Sequence, residues 1–382
     1  MQDPRFYSLV LHRLPQIGAA TYLRLVNYFG DPQKVLSRSI AELQRFLERD
    51  SLDAIRQFQV SPESSDVGQQ ALRDLEWLDS QADVHLLSSA EEAYPDLLRQ
   101  IPKMPPLLFV RGDIQLLGLP QIAIVGSRNP TGGGRDNARL FAEFLAAHGF
   151  AITSGLALGV DAAAHEGALR AKGKTIAVMG TGLDLVYPSR HRGLAQEILV
   201  GGGALVSELP LGSSSRAANF PQRNRIISGL SCGVLVVEAA IQSGSLITAH
   251  TALQQNREVF AIPGSIHNPL ARGCHQLIRQ GATLVEVAQD IVDQLQGMLD
   301  YQRETLKKMR TKAVKNRKAD QKSLESLSAA EQQLLQAMGY DPSHVDELAE
   351  RTGIAVGSLA AQLISLEIKG FVQQVSAGYE RV

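Results

Sequence analysis

The sequence predicts an α/β protein built on a parallel, doubly wound sheet, with a small helical domain before it and a winged-helix domain after it. Residues 121–263 carry the sheet, because the apolar run Ile122–Val125 ends at Gly126 and a helical pattern follows to about His148. The same order recurs, with loops at Ser154–Gly155, Gly180–Gly182, Ser207–Glu208 and Glu238. Such alternation is typical of a parallel sheet with helices on both faces.

The loops after these strands predict a ligand that carries phosphate. In a doubly wound sheet they gather on one edge, where free N–H groups at helix N-termini favour anions. Ordinary dinucleotides are disfavoured, because Arg128 stands where the second glycine of a GxGxxG motif would let a pyrophosphate approach. ATP is disfavoured too, since no GxxxxGK motif followed by Ser or Thr is present.

Composition limits the classes of function. The 382 residues are 44% hydrophobic, enough for a large core and two or three domains. A formal net charge of -1 means that any binding of nucleic acid must come from local patches of positive charge. Cys232 and Cys274 have no metal-ligand spacing, so we expect no metal site and a reduced, cytoplasmic setting. No run of eighteen apolar residues occurs, which predicts a soluble protein without membrane contact.

The predicted domains follow changes of pattern along the chain. They are a helical domain at 1–81, the sheet domain at 82–298, a basic linker at 299–323 and a winged-helix-like domain at 324–382. Apolar runs at Val84–Leu87 and Pro105–Val110 predict strands added at the edge of the sheet. The turn Leu14–Gly18 between two helices is similar to a helix-hairpin-helix that binds a DNA phosphate, but a small helical domain with a plain glycine turn is favoured, because one such hairpin is weak evidence.

Candidate binding groups lie in the predicted loops. Arg128 follows the first central strand, and its planar fork of donors suits a phosphate, although a surface arginine or one paired with an acid is the alternative. Asp161 and His165 are one helical turn apart, so a pair is possible. Without a paired Ser or Cys nucleophile, however, a structural hydrogen bond is favoured, and Asp161 could simply cap its helix.

The run Asn219–Ile227 gives the strongest indication of nucleic acid. Phe220 offers a ring on which a base can stack, and the arginines and Asn224 offer charge and donors for the backbone. The alternative is that Pro221 starts a helix, the isoleucines are buried and the arginines pair with Glu208 or Glu238. The loop Ser243–Ser245 begins another helix and is a second candidate anion site.

Taken together, these motifs resemble the DNA-processing protein A (DprA, or Smf) family. The resemblance runs in order over about residues 85–290 and includes Ala123–Arg128, Ser154–Asp161, Ala177–Asp184, Phe220–Arg225 and Ser243–Thr248. It implies an extended Rossmann-like domain that binds and protects single-stranded DNA and loads the RecA recombinase during natural transformation. It also implies a binding protein without catalytic activity or cofactor.

The resemblance assigns roles to particular positions. DNA contacts are implied for Gly126, Ser127, Arg128, Phe220, Arg223, Asn224, Arg225, Ser243 and Gly244. Relatives often have lysine three residues before the phenylalanine; here Ala217 stands there, and Arg216 beside it would substitute. The segment Gly273–Ala282 resembles the family's homodimer surface, which makes Leu277, Ile278 and Leu284 interface candidates, with ordinary core as the alternative.

The C-terminal part predicts three helices and a short hairpin, the pattern of a winged helix. Duplex reading by its last helix is disfavoured, because basic side chains are lacking at the start of that helix. An interaction or accessory role is therefore expected. The segment 303–322 holds nine Lys or Arg residues and two acids, which suits either a solvated linker or added affinity for DNA phosphates.

Two other functions are compatible with the sequence. Nucleotide-hydrolysing enzymes of the lysine-decarboxylase-like group use the same type of sheet, with a PGGxGTxxE motif that supplies a catalytic glutamate. The run Ser243–Thr248 only partly resembles that motif and lacks the glutamate. A regulatory factor acting through the C-terminal domain is the third possibility.

Overall fold

The computed structural model describes residues 3–296, 328–338, 343–369, 371–375 and 378–381. Contacts divide the chain into two compact units, Met1–Leu295 and Gln296–Val382. The boundary predicted after residue 81 lies inside the first unit, and the predicted domain limits stay predictions. The basic segment 303–322 lies outside the described residues, and so do both predictions about it.

The first unit begins with six helices that pack on the sheet. They are α1 (Pro4–Arg13), α2 (Ala19–Phe29), α3 (Pro32–Leu36), α4 (Ile40–Leu43), α5 (Arg49–Val60) and α6 (Asp66–Ser80). Asp3 caps α1 by accepting a hydrogen bond from the Arg5 N–H at 2.8 Å. Leu9 and Leu25 are fully buried in the same apolar cluster as Phe109 and Leu205 of the sheet. The helices therefore share a core with the sheet.

The sheet has nine strands in the order β1-β2-β6-β5-β4-β3-β7-β8-β9. Their bounds are β1 (Val84–Ser88), β2 (Leu107–Gly112), β3 (Gln121–Val125), β4 (Ala151–Ser154), β5 (Thr175–Val178), β6 (Ala204–Ser207), β7 (Gly233–Val236), β8 (Glu258–Ala261) and β9 (Thr283–Leu284). From β6 to β9 all neighbours are parallel, as predicted. The added edge strands are antiparallel, β1 to β2 and β2 to β6. No long crossover helix joins β1 to β2, and a parallel pair needs such a connection.

Helices cover both faces of the sheet. They are the four-residue α7 (Asp96–Arg99), followed by α8 (Gly132–Ala147), α9 (Val160–Arg170), α10 (Arg192–Val200), α11 (Asn219–Leu230), α12 (Gly244–Gln254), α13 (Arg272–Arg279) and α14 (288–296). In β5, Ile176 and Val178 enter one apolar cluster while Ala177 enters the other. This two-residue alternation places a core on each face and confirms the doubly wound α/β prediction.

Both cysteines belong to this unit, and both are free and buried. Burial raises the pKa of the Cys232 thiol. Burial also raises the pKa of the Cys274 thiol, to about 11. Each side chain therefore stays in the neutral thiol form near neutral pH.

The second unit contains three helices and a hairpin, which confirms the predicted winged helix. The elements are α15 (Ala329–Met338), α16 (Val345–Thr352), α17 (Val356–Ile368), β10 (Val372–Val375) and β11 (Gly378–Arg381). Its core contains Leu335, Leu348 and Leu363. Glu331 accepts hydrogen bonds from Lys369 Nζ at 2.6 Å and Ser365 Oγ at 2.8 Å. These bonds join the first turn of α15 to the C-terminal end of α17. Across the part of the chain that the structure describes, no helix combines the length and apolar character needed to cross a bilayer.

Candidate nucleic-acid interface

A groove of about 410 Å³ opens at the carboxyl ends of the parallel strands. It lies between the loops that follow β3, β4 and β7 and the first turns of α11 and α12. Its lining includes Gly126, Arg128, Phe220, Arg223, Asn224, Ser243 and Gly244. Residues far apart in the sequence therefore meet at one edge, as the topology of a doubly wound sheet requires. Ser127, Arg216 and Arg225 are not part of the lining.

Arg128 and Phe220 lie next to each other in the lining of the groove. The Arg128 guanidinium carbon lies 5.5 Å from the centroid of the Phe220 ring, a cation–π distance. Arg128 is exposed, and no carboxylate among the described residues lies within ion-pair distance of it. The Phe220 ring lies against Gly180, where an added Cβ would come within 3.0 Å of the ring. Arg128 is thus available to an anion, and Phe220 is held in place beside it.

Arg223 has a different environment, because it is only 7% exposed. Its guanidinium donates to the Gly155 carbonyl at 2.6 Å and to the Val178 carbonyl. Burial lowers the pKa of Arg223 to about 10, while Asp161 acts in the opposite direction. The side chain stays charged at neutral pH and joins the ends of β4 and β5 to α11. Its hydrogen-bond partners therefore belong to the scaffold of the sheet, and a direct DNA contact by Arg223 stays a prediction.

Asp161 and His165 do not pair with each other. Asp161 Oδ2 accepts hydrogen bonds from the N–H groups of Gly155 at 3.0 Å and Ala157 at 3.3 Å, so it fixes the loop after β4. Burial raises the pKa of Asp161, and Arg223 acts against this rise. His165 Nδ1 lies 2.6 Å from Thr175 Oγ1, which itself donates to the Ile152 carbonyl. Burial lowers the pKa of His165 to about 3, so the ring is neutral and structural.

Arg225 forms an ion pair with Glu208, one of the alternatives open from the sequence. Arg225 Nη2 lies 2.6 Å from Glu208 Oε2, and the two side chains are 15% and 14% exposed. Burial raises the pKa of Glu208, and Arg225 opposes the rise. The alternative holds only in part. Ile226 and Ile227 are buried as it stated, but α11 begins two residues before Pro221, at Asn219, and Arg223 pairs with neither glutamate.

Two further contacts shape the other side of the groove. Glu238 accepts hydrogen bonds from the Thr131 N–H at 2.9 Å and the Thr131 hydroxyl at 2.7 Å, so the loop after β7 is tied to the start of α8. Ser243 caps α12, and its hydroxyl lies 2.6 Å from that of Ser245. The first turn of α12 therefore faces the groove with the positive end of its helix dipole.

One aromatic residue beside the groove, Tyr187, received no role from the sequence. Tyr187 lies in the loop after β5, is 50% exposed, and has its ring 5.8 Å from that of Phe220. Its position after a strand of the doubly wound sheet was the available signal. Its proximity to Phe220 depends on tertiary structure.

The three candidate interface residues have different environments. Leu277 is 1% exposed and belongs to the core, so the alternative role holds for it and its side chain is closed to a partner. Ile278 is half-buried against the same cluster. Leu284 lies on the edge strand β9 and is 45% exposed. Only Ile278 and Leu284 can therefore contribute directly to an interface.

Comparison with known proteins gives consistent matches to one family. A family model described as DNA recombination-mediator protein A matches residues 85–296, and one described as DprA winged helix domain matches residues 318–378. Protein Smf of Escherichia coli (strain K12) is 45% identical over 308 residues, 80% of this chain and 79% of that protein. DNA processing protein DprA of Streptococcus pneumoniae is 45% identical over 205 residues, 54% of this chain and 72% of that protein.

Solved structures give the same result. The X-ray structure of DNA processing protein A from Streptococcus pneumoniae has a TM-score of 0.65 at 34% identity, covering 77% of this chain and 98% of that one. A structure of DNA processing protein A from Helicobacter pylori, described for its single-stranded DNA binding mode, has a TM-score of 0.51 at 30% identity. It covers 57% of this chain and 98% of the Helicobacter pylori chain.

The Arg225–Glu208 pair generates a prediction about stability. Arg225→Ala should lower the free energy of unfolding by about 3 to 5 kcal/mol, because it leaves a buried carboxylate without its partner. Urea unfolding followed by circular dichroism measures the change. The double variant Glu208→Gln, Arg225→Met should regain part of the loss, and the exposed Arg170→Ala serves as control. An Arg225→Ala protein as stable as the wild type would contradict a structural role for this pair.

Proposed function

Since the chain belongs to the DNA recombination-mediator protein A family, also called DprA or Smf, we propose that its groove binds single-stranded DNA. One observation carries the proposal: the Arg128 guanidinium, which has no carboxylate partner among the described residues, lies beside the Phe220 ring at the edge where helix N-termini converge. A cation for the backbone next to a ring for a base is the combination that binds single strands. The binding mode for which the Helicobacter pylori relative is described adds support.

The groove offers a separate partner for each part of a nucleotide. Arg128 and the first turn of α12, at Ser243 and Gly244, receive phosphates. The Phe220 ring receives a base, and stacking of this kind contributes about 1 to 3 kcal/mol per base. A base in a duplex must first leave its stack, at a cost of a few kcal/mol, before it can use such a ring. The arrangement therefore favours single strands over duplex DNA.

The other arginines divide into scaffold and surface. Arg223 and Arg225 act on DNA through the residues that they position, because their guanidinium groups are occupied inside the protein. Arg216 is exposed and, among the described residues, has no carboxylate within ion-pair distance. In this proposal it adds a phosphate contact in place of the lysine that relatives often have at Ala217.

The proposed activity is binding without chemistry. The carboxylates nearest the groove, Asp161 and Glu238, already accept hydrogen bonds from the loops that they fix. Neither is left as a free general base. The loop at Ser243 also lacks the glutamate on which the nucleotide-hydrolysing alternative depends.

We extend the proposal to the role that the family resemblance implies. The protein protects incoming single strands in the cytoplasm during natural transformation and loads the RecA recombinase onto them. The family description as a recombination mediator supports this step. We also propose a homodimer formed along the β9 edge, where Leu284 and Val287 are exposed and Ile278 is half-buried.

DNA binding is tested with Arg128→Ala. Its affinity for a mixed-sequence single strand should fall about 10- to 100-fold, because a charge-assisted hydrogen bond to phosphate is lost. The slope of log affinity against log salt should become shallower by about 0.7, the value for one phosphate contact on a single strand. Fluorescence anisotropy at several salt concentrations measures both quantities.

Two further variants sharpen this test. Arg128→Lys should lie between wild type and Arg128→Ala, because it keeps the charge and loses the planar fork. Arg170→Ala removes an exposed arginine at the far end of α9 and should bind as the wild type does. Wild-type protein that binds no single strand, or Arg128→Ala that binds normally with an unchanged salt slope, would overturn the proposal.

Recombinase loading is tested on single strands covered with single-strand-binding protein. The wild type should shorten the lag before RecA hydrolyses ATP, and Arg128→Ala should not, because loading depends on holding the strand. Arg170→Ala again provides the control. If Arg128→Ala shortens the lag as well as the wild type does, loading does not depend on this groove.

The proposed dimer is tested with Leu284→Glu. A charge buried at an apolar interface is costly, so this variant should sediment as a monomer where the wild type sediments as a dimer. Leu140→Glu is the matched control, because Leu140 is 60% exposed on α8, a helix that the proposed interface does not include. A wild-type monomer, or a Leu284→Glu dimer, would refute an interface along β9.

A further inference from the structure

The loop after β5 presents a second aromatic ring next to Phe220, which lines the groove. Tyr187 is 50% exposed, and the one aromatic partner of its ring among the described residues is Phe220, at 5.8 Å with an interplanar angle of 45°. Its hydroxyl makes no hydrogen bond within the described part of the chain. A tyrosine that only completes a core is normally buried with its hydroxyl paired. This ring instead leaves half of its surface to solvent beside the proposed DNA site.

The loop that carries Tyr187 is fastened at both ends. Before it, Asp184 accepts the Gly212 N–H with both carboxylate oxygens at 3.0 Å. After it, His191 Nδ1 lies 2.8 Å from the Leu156 carbonyl, to which it donates. A ring on a fixed loop loses little freedom when a ligand binds, so its contact contributes more to affinity.

The charges around the ring suit a nucleic-acid backbone. Arg190 and Arg192 follow Tyr187 on the same stretch of chain and are exposed, and neither has a carboxylate within ion-pair distance among the residues described here. The loop also carries Asp184, whose carboxylate accepts the Gly212 N–H. Two arginines against one aspartate leave this stretch of chain with a positive balance, although the whole chain has a net charge of -1.

The sheet sets the direction of the path. Strand order places β4 between β3 and β5, so the loops that carry Arg128 and Tyr187 emerge about 10 Å apart. Phe220 lies close to both of them, 5.5 Å from the Arg128 guanidinium and 5.8 Å from the Tyr187 ring. The Phe220 ring thus links Arg128 and Tyr187 at the carboxyl edge of the sheet.

We propose that Tyr187 is a second stacking platform, which receives the base next to the one on Phe220 and extends the single-strand site along the loop after β5. This inference rests on the proposed function, and it defines the direction and length of the site. Arg190 and Arg192 contact the phosphates beyond the second base. Stacking is tolerant of sequence because every base has a π-face.

The test compares side chains that differ in π-surface. Tyr187→Ala should weaken binding of a mixed-sequence single strand about 5- to 100-fold, the range for loss of one stacked base. Tyr187→Phe should bind as the wild type does. Tyr187→Leu keeps an apolar contact with Phe220 but has no ring, so it should resemble Tyr187→Ala. Tyr28→Ala, which removes a 68% exposed tyrosine from the N-terminal helices, is the matched control.

Two measurements separate stacking from a merely structural effect. The salt slope should stay as in the wild type for Tyr187→Ala, since no phosphate contact is removed, whereas Arg128→Ala makes it shallower. In a Phe220→Leu background, Tyr187→Ala should still weaken binding to a strand with bases and have no effect on an abasic strand. Loss of the Tyr187→Ala effect in that background would mean that Tyr187 acts only by supporting Phe220.

The outcomes also separate this inference from the proposed function. A wild type that binds single strands, with Tyr187→Ala equal to it, overturns the second platform and leaves the proposed function standing. A wild type that binds no single strand overturns both. Tyr187→Leu binding as the wild type does would also refute stacking, because leucine offers no ring.

Discussion

The buried guanidinium of Arg223 is the interaction on which the groove depends. It joins the carbonyl groups of Gly155 and Val178, at the ends of two parallel strands, to the helix that begins at Asn219. Moving such a charge out of water costs several kcal/mol, and hydrogen bonds in good geometry offset that cost. An added Cβ at Gly155 would lie 2.5 Å from the guanidinium, so a larger residue there would have to displace the Arg223 side chain from these carbonyl groups. The position of Phe220, one turn earlier on the same helix, follows from this anchor.

Three arginines near the groove have three different environments, although all three are the same residue type. Arg128 is exposed and unpaired within the described residues, Arg223 is buried among carbonyl groups, and Arg225 is buried against Glu208. Exposure leaves the first free to exchange water for an anion. Desolvation fixes the other two inside the protein, where removing a partner would leave a buried charge. The proposed binding site is therefore one solvent-exposed cation supported by two arginines that are bonded inside the protein.

Periodicity predicted the doubly wound sheet and the winged helix, because strand, loop and helix each have a local signature. It also predicted that loops following β3 and β7 would meet, since parallel strands place their carboxyl ends together. Which arginine would be buried was not predictable, because burial depends on which carbonyl groups lie nearby. Strand order decides which carbonyl groups lie near each arginine. It also decides the contact between Tyr187 and Phe220. The same limit applies to Leu277 and Leu284, whose apolar character is equal in the sequence and whose exposures are 1% and 45%.

The two buried thiols matter for attaching a fluorescent label to this protein, with which DNA binding could be followed. Thiolate is the reactive form of cysteine, and Cys232 and Cys274 are closed to solvent with raised pKa values. Alkylating dyes should therefore spare both in the folded state. A cysteine introduced at an exposed position would accept a label by itself, and neither native cysteine would need replacement.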